Sequence, residues 1–163
     1  MSKVQASKDQ FKQIGVEIGQ GKYHEEIVYG IGLAYISMIN MISAYLKKYD
    51  LTPADMNVLM LVKHQGKTNG ISQVDLGQKL MVTAHNMTRT IQRLEKKGML
   101  KRVTNKADAR VNLVSIKEKG SQLLDEVWPE YDKIVRDLAN KVSVEEQQVL
   151  AGLLQKWLNN KGA

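Results

Sequence analysis

Between Thr83 and Arg110 the chain carries eight lysines and arginines against two acids, Glu95 and Asp108. Arginine presents paired N–H donors that fit the N7/O6 edge of guanine or two oxygens of a phosphate, and asparagine can pair in the same way with adenine. Arg89, Arg93, Lys96 and Asn86 are therefore candidates for contact with a nucleic-acid duplex. Thr83, His85 and Thr88 add short polar groups beside them, and Ala84 is small enough to let the backbone approach. A second cationic group follows in the polar run 104–112, where Lys106 and Arg110 flank Asp108. That run is too polar for a core and can carry its cations beyond the body of a domain. Asp108 is expected to orient Arg110, since an acid in an anion-binding loop otherwise opposes binding. The plainer readings are a solvated basic helix and a loop of ordinary turn formers.

The elements that would hold these groups can be read from periodicity and punctuation. Met87, Ile91 and Leu94 recur at four and three residues, so they share a helix face. His85, Arg89, Gln92, Arg93 and Lys96 lie roughly opposite. Thr83 is the expected N-cap, with Val82 stapled to Met87, and Gly98 the expected stop. Ser72 is expected to cap a shorter helix, with Asp75 three residues on and Ile71 over Leu76. A tight turn near Leu80-Met81 makes the two a helix-turn-helix. After Gly98, Met99–Val103 and Leu113–Ile116 read as strands of a hairpin. A helix in the major groove and a hairpin tip on the backbone or in the minor groove is one way to grip a duplex.

Other chemistries find little support. The chain has no cysteine, which excludes disulfides and thiolate metal sites. His24, His64 and His85 fall on separate segments, and His24-Glu25-Glu26 lacks the second histidine of a helical zinc motif. No Gly-rich phosphate loop follows a strand. The expectation is a protein that is not an enzyme, with no metal and no cofactor.

Charge is segregated along the 163 residues. The net charge is +7, yet residues 51–120 hold thirteen bases against five acids, while the flanks are close to neutral. Such segregation points to a polyanionic partner more strongly than net charge does. Ile27–Leu46 is twenty residues without a charge, but Gly30, Gly32, Ser37, Asn40 and Ser43 make it modest as a membrane span. A helix apolar on most sides also suits a buried subunit interface, and no membrane partner is expected. Nothing at the start reads as a signal peptide, so a cytoplasmic location is expected.

The flanking elements read as helices. Residues 1–22 are polar and dotted with glycine, with Phe11, Ile14 and Ile18 as weak anchors, and read as an arm or a short helix. A long helix is expected from about Glu25 to Tyr49. Another starts at the Thr52 cap with Pro53 and Asp55 in its first turn, burying Met56, Leu59, Met60 and Val62. From about Lys117 a helix carries Leu123, Leu124, Val127, Trp128, Tyr131, Ile134, Val135 and Leu138, with Pro129 predicting a kink. A last helix opens at Ser143 with Glu146 in a capping box and presents Val149, Leu150, Leu153, Leu154, Trp157 and Leu158.

These motifs together resemble the winged-helix core of the MarR family of bacterial regulators. The matching strings are Leu51-Thr52-Pro53, Val82-Thr83, the run Arg93-Leu94-Glu95-Lys96-Lys97-Gly98, Asp108 with Arg110, and Leu113-Val114-Ser115-Ile116 through Glu118-Lys119-Gly120. With the flanking helices the resemblance spans roughly residues 25–160. Two positions depart from the pattern. Ala109 stands where a second wing arginine is frequent, and Lys117 where a threonine usually caps the next helix, so that cap is expected from Ser115.

The resemblance implies a mainly α fold with a small β-wing. An N-terminal arm (1–24) and a dimerisation helix (25–50) precede a winged helix-turn-helix region (51–116). C-terminal dimerisation helices (117–163) follow, all within one structural domain. It implies a homodimer on double-stranded DNA at a near-palindromic site, usually as a repressor of transcription. It also implies release by a small aromatic or amphipathic effector, for which Tyr35, Met38, Met60 and Trp128 are candidate pocket residues; plain core is the alternative for each. A monomer whose terminal helices pack on each other, and a winged-helix adaptor that binds protein without DNA, are the competing readings.

Overall fold

The computed structural model describes residues 10–66, 70–104 and 112–159. Two compact units are distinguished, Met1–Ala44 and Tyr45–Ala163. In the first, a helical turn at residues 10–13 precedes helix α1, Tyr23–Leu46, whose last two residues belong to the second unit. Phe11 lies against Gly30 of α1, where an added Cβ would stand 3.1 Å from its ring. Gly19 N–H donates to Glu26 Oε1 at 2.9 Å. The buried residue of this stretch is Val16, whereas Ile14 and Ile18 are exposed. Along α1 itself Ile27, Val28, Tyr29, Ile31, Tyr35, Ile36, Met38 and Met41 are exposed.

The second unit opens with Tyr45 and Leu46, both buried, then a 3-10 turn at Lys47–Tyr49. Burial, reinforced by Tyr49, holds the Tyr45 phenol in its protonated form well above the usual range. Its O–H donates to the Val127 carbonyl at 2.9 Å. Helix α2, Pro53–Gln65, follows the Thr52 cap, and α3 (Gln73–Lys79) and α4 (Ala84–Lys96) follow Ser72 and Thr83. Strands β2 (Leu100–Thr104) and β3 (Asn112–Ile116) form an antiparallel hairpin with Leu100 opposite Ile116 and Val103 opposite Leu113. A two-residue strand β1, Ile71–Ser72, adds to the other edge of β3, giving the order β1-β3-β2. The sequence reading had assigned Ser72 as a cap alone; it serves as both cap and strand end.

The core of this unit joins one face of each element. Met56, Val58, Leu59 and Val62 of α2 meet Leu76, Met87, Ile91, Leu94, Leu100, Val114, Leu124 and Val127, all buried. Burying side chains of this size stabilises by about 1.5–3 kcal/mol each before ordering entropy is counted. Met60, expected among them, is half-buried, while Val58 is buried. Helix α5 spans Glu118–Ala139 and contains Pro129; α6 spans Val144–Asn159. Among the described residues no side chain caps α5, neither Lys117 nor the expected Ser115; the Lys117 N–H donates instead to the Met99 carbonyl at 2.8 Å. Ser143 and Glu146 form the reciprocal capping box of α6, at 2.8 and 3.3 Å. Val149, Leu150, Leu153, Leu154, Trp157 and Leu158 of α6 are exposed.

Candidate nucleic-acid interface

The helix-turn-helix is built from local chemistry. Ser72 Oγ accepts from Asp75 N–H at 3.0 Å, and Thr83 Oγ1 accepts from Asn86 N–H at 3.4 Å. The turn between α3 and α4 closes through Val82 N–H to the Gly77 carbonyl at 2.9 Å, with Met81 at φ 51°. At the other end of α4, Gly98 takes φ 72°. Its N–H donates to Glu95 and that of Met99 to Leu94, the two bonds of a Schellman motif. Met87, Thr90, Ile91 and Leu94 fix the inner face of α4.

Of the residues expected to meet DNA on α4, Thr83, Ala84, His85, Asn86, Arg89 and Lys96 are exposed, and so is Gln92. Among the described residues no acid lies within ion-pair distance of Arg89 or Lys96. Both cations are thus available to an anion in solution. Glu95, the acid of this helix, is turned toward Arg102 of β2 at 3.4 Å. Arg102 and Lys101 extend the exposed basic surface onto the hairpin.

Two expected contacts prove to be tied down. Thr88 Oγ1 donates to the Ala84 carbonyl at 2.8 Å and accepts from Gln73 Nε2 at 2.6 Å, which fastens α4 to the first turn of α3. Its proton is thereby committed inside the protein. Arg93 is held by Asp55 at the start of α2, through Nη2 at 2.6 Å and Nε at 3.1 Å. The sequence reading grouped Arg93 with Arg89; the structure gives the two different surroundings. Gln73 and Asp55 are the residues that reading missed as parts of the site. Asp55 had a signal in the Thr-x-x-Asp spacing of a capping box, but its second partner is 38 residues away. Lys106, Asp108 and Arg110, the expected wing contacts, lie outside the described residues.

The MarR family model matches residues 49–111, which spans α2, the helix-turn-helix and the start of the hairpin. An uncharacterized HTH-type transcriptional regulator of Bacillus cereus, BCE33L1758, is 31% identical over 120 residues, covering 71% of this chain and 76% of that protein. The chain belongs to the MarR family. Another member of similar kind is the HTH-type transcriptional regulator MhqR of Bacillus subtilis, 28% identical over 123 residues, 76% of this chain and 83% of that one. Among solved structures, a mutant MarR from E. coli complexed with operator DNA superposes with TM-score 0.74 at 25% identity, over 85% of this chain and 99% of that one. Like its relatives, this MarR-family chain is a DNA-binding regulator of transcription.

The candidate effector residues divide between the two units. Met60 and Trp128 line a cavity of about 110 Å³ together with Lys63, His64, Leu124 and Asp125. Lys63 reaches Asp125 at 2.5 Å across one side of it. Tyr35 and Met38 are exposed residues of α1 in the first unit.

Proposed function

We propose that this MarR-family protein acts in the cytoplasm as a homodimeric repressor that binds a near-palindromic operator. The observation that carries the reading is the outer face of α4: Arg89 and Lys96 exposed and, among the described residues, without an acid partner, beside Asn86, His85 and Gln92. Arg89 reads a base edge and Lys96 meets phosphate near the helix end. Dimerisation is supported by the apolar exposure of α1 and α6. Trp157 is 50% exposed and Leu153 59%, a stripe too apolar to be left in water. Tyr23–Tyr49 is also long and apolar enough to cross a membrane by length and composition; we assign its apolar surface to the partner subunit instead. Two recognition helices about 34 Å apart then enter successive major grooves on one side of the duplex. The exposed cations of α4 and β2 argue against an adaptor that binds only protein. A small aromatic or amphipathic effector is assigned to the cavity at Met60 and Trp128. The wing residues Lys106 and Arg110 supply minor-groove or phosphate contact in this reading, with Asp108 orienting Arg110.

The test is duplex binding at two salt concentrations. With about six to eight phosphates neutralised, affinity drops on the order of a thousandfold or more between roughly 50 and 200 mM salt. Affinity that stays flat over that range for every duplex tried refutes the DNA-binding reading.

A further inference from the structure

Asp55 is fully buried and carries four hydrogen bonds. Its Oδ2 accepts from the N–H and the hydroxyl of Thr52, both at 2.9 Å, and its Oδ1 from Nε and Nη2 of Arg93 at 3.1 and 2.6 Å. Nη2 also donates to Thr52 Oγ1 at 3.2 Å. A buried carboxylate without such partners is costly, and one saturated by them is rigid. The cap of α2 and the guanidinium of the recognition helix are therefore one hydrogen-bonded unit.

That unit uses only one edge of the guanidinium. Arg93 is held along Nε–Nη2, its side chain remains 42% exposed, and Nη1 has no hydrogen-bond partner among the described residues. An arginine fork whose position is already fixed loses little further freedom on binding a second partner. Its place on the helix names that partner. Arg93 lies four residues beyond Arg89 and three before Lys96, but at the border with the buried face of Ile91 and Leu94. The middle of a recognition helix meets base edges, while its flank meets the phosphates lining the groove. We propose that Arg93 is a preset phosphate clamp of the DNA complex, not a base reader, and that Asp55 is the positioning residue that aims it. The proposal rests on the DNA-binding function above and adds a division of labour: Arg89 for sequence, Arg93 for register.

The experiment is ethylation interference on an operator duplex with wild-type protein and the variants Arg93→Ala, Arg93→Lys and Asp55→Asn, with helix content checked by circular dichroism. Ethylation of one phosphate per half-site should block wild-type binding and be silent for Arg93→Ala. Arg93→Lys is the informative variant. A lysine can satisfy Asp55 and keep the fold, but its single ammonium has no second edge, so the same phosphate should fall silent and affinity should drop about tenfold or more. Asp55→Asn should weaken the signal at that phosphate alone, which a merely structural role would not do. Arg93→Lys with the wild-type interference pattern and affinity overturns the proposal. So does a change of base preference in Arg93→Ala with the phosphate signal intact. Wild-type protein that binds no duplex overturns this proposal and the DNA-binding function together; unchanged interference in all three variants overturns the clamp alone.

Discussion

Gly120→Ala should destabilise the protein although alanine is the better helix former. Gly120 sits in the first turn of α5, and a Cβ there would lie 2.5 Å from the Met99 carbonyl oxygen and 3.1 Å from Ile116 Cγ1. The nearest atom is backbone, so it cannot swing aside as a side chain could. It is also the acceptor of the Lys117 N–H that stands in for a cap at this helix start. Relief of the overlap means parting β2 from α5. The lost hydrogen bond costs about 1 kcal/mol and the strain about 1–3 kcal/mol, against a propensity gain of at most about 1 kcal/mol. The expected net loss is about 2 kcal/mol, read as a lower urea midpoint at unchanged m-value and fixed protein concentration. Gly98 gives the contrast. There the backbone is left-handed at φ 72°, but the nearest atom, Lys119 Cδ, is 4.0 Å away. Its replacement by alanine should cost about 1 kcal/mol, and asparagine, which tolerates this region, should recover part of that loss. Asparagine at position 120 should recover nothing. Stability of Gly120→Ala at or above wild type would refute the close approach of α5 to β2.

Arg89→Ala should cost about 1–3 kcal/mol in operator binding and relax preference at one position per half-site; preference left intact in a binding-site selection would mean that α4 is oriented differently on the duplex. Leu154→Glu places a carboxylate on the apolar stripe of α6 and should dissociate the dimer, with operator affinity falling alongside; sedimentation showing an intact dimer would move the interface elsewhere. In the wing, Arg110→Ala should weaken binding strongly and Ala109→Arg should tighten it by about 1 kcal/mol. Asp108→Ala should loosen binding despite adding positive charge, and tighter binding would reduce the wing to plain electrostatics.

What could be read from the sequence was mostly local. Thr52, Ser72, Thr83 and Ser143 all cap helices, because a cap is settled within three residues of chain. The inner face of α4 was legible from its 3.6-residue period, and the family strings fixed the order of elements. Pairings across the chain were not legible. Arg93 and Asp55 look like two solvent-facing residues until α2 and α4 are packed, and Gln73 reveals its hold on Thr88 only when α3 meets α4. The two-residue strand β1 is too short to leave a period and is visible only through its pairing of Ile71 with Val114. Ile14 and Ile18, expected as weak anchors, are exposed; glycines at 15 and 19, both in the left-handed region, redirect the chain, and Val16 is the residue that is buried. Met60 and Trp128 come together because α2 packs on α5, a tertiary fact with no local signature.

Met99 has a kinematic meaning. Its N–H is fastened to the last turn of α4, its carbonyl to the first residue before α5, and Gly120 rests against that same carbonyl. One residue thus pins the ends of both helices. A recognition helix fixed in this way has no swivel at its C-terminal end. Any tilt must leave that end in place and displace the other, beside the Leu80–Val82 turn, carrying Ala84, His85 and Asn86 through the widest arc while Lys96 barely moves. Whatever drives α5 therefore displaces the N-terminal turn of α4 most.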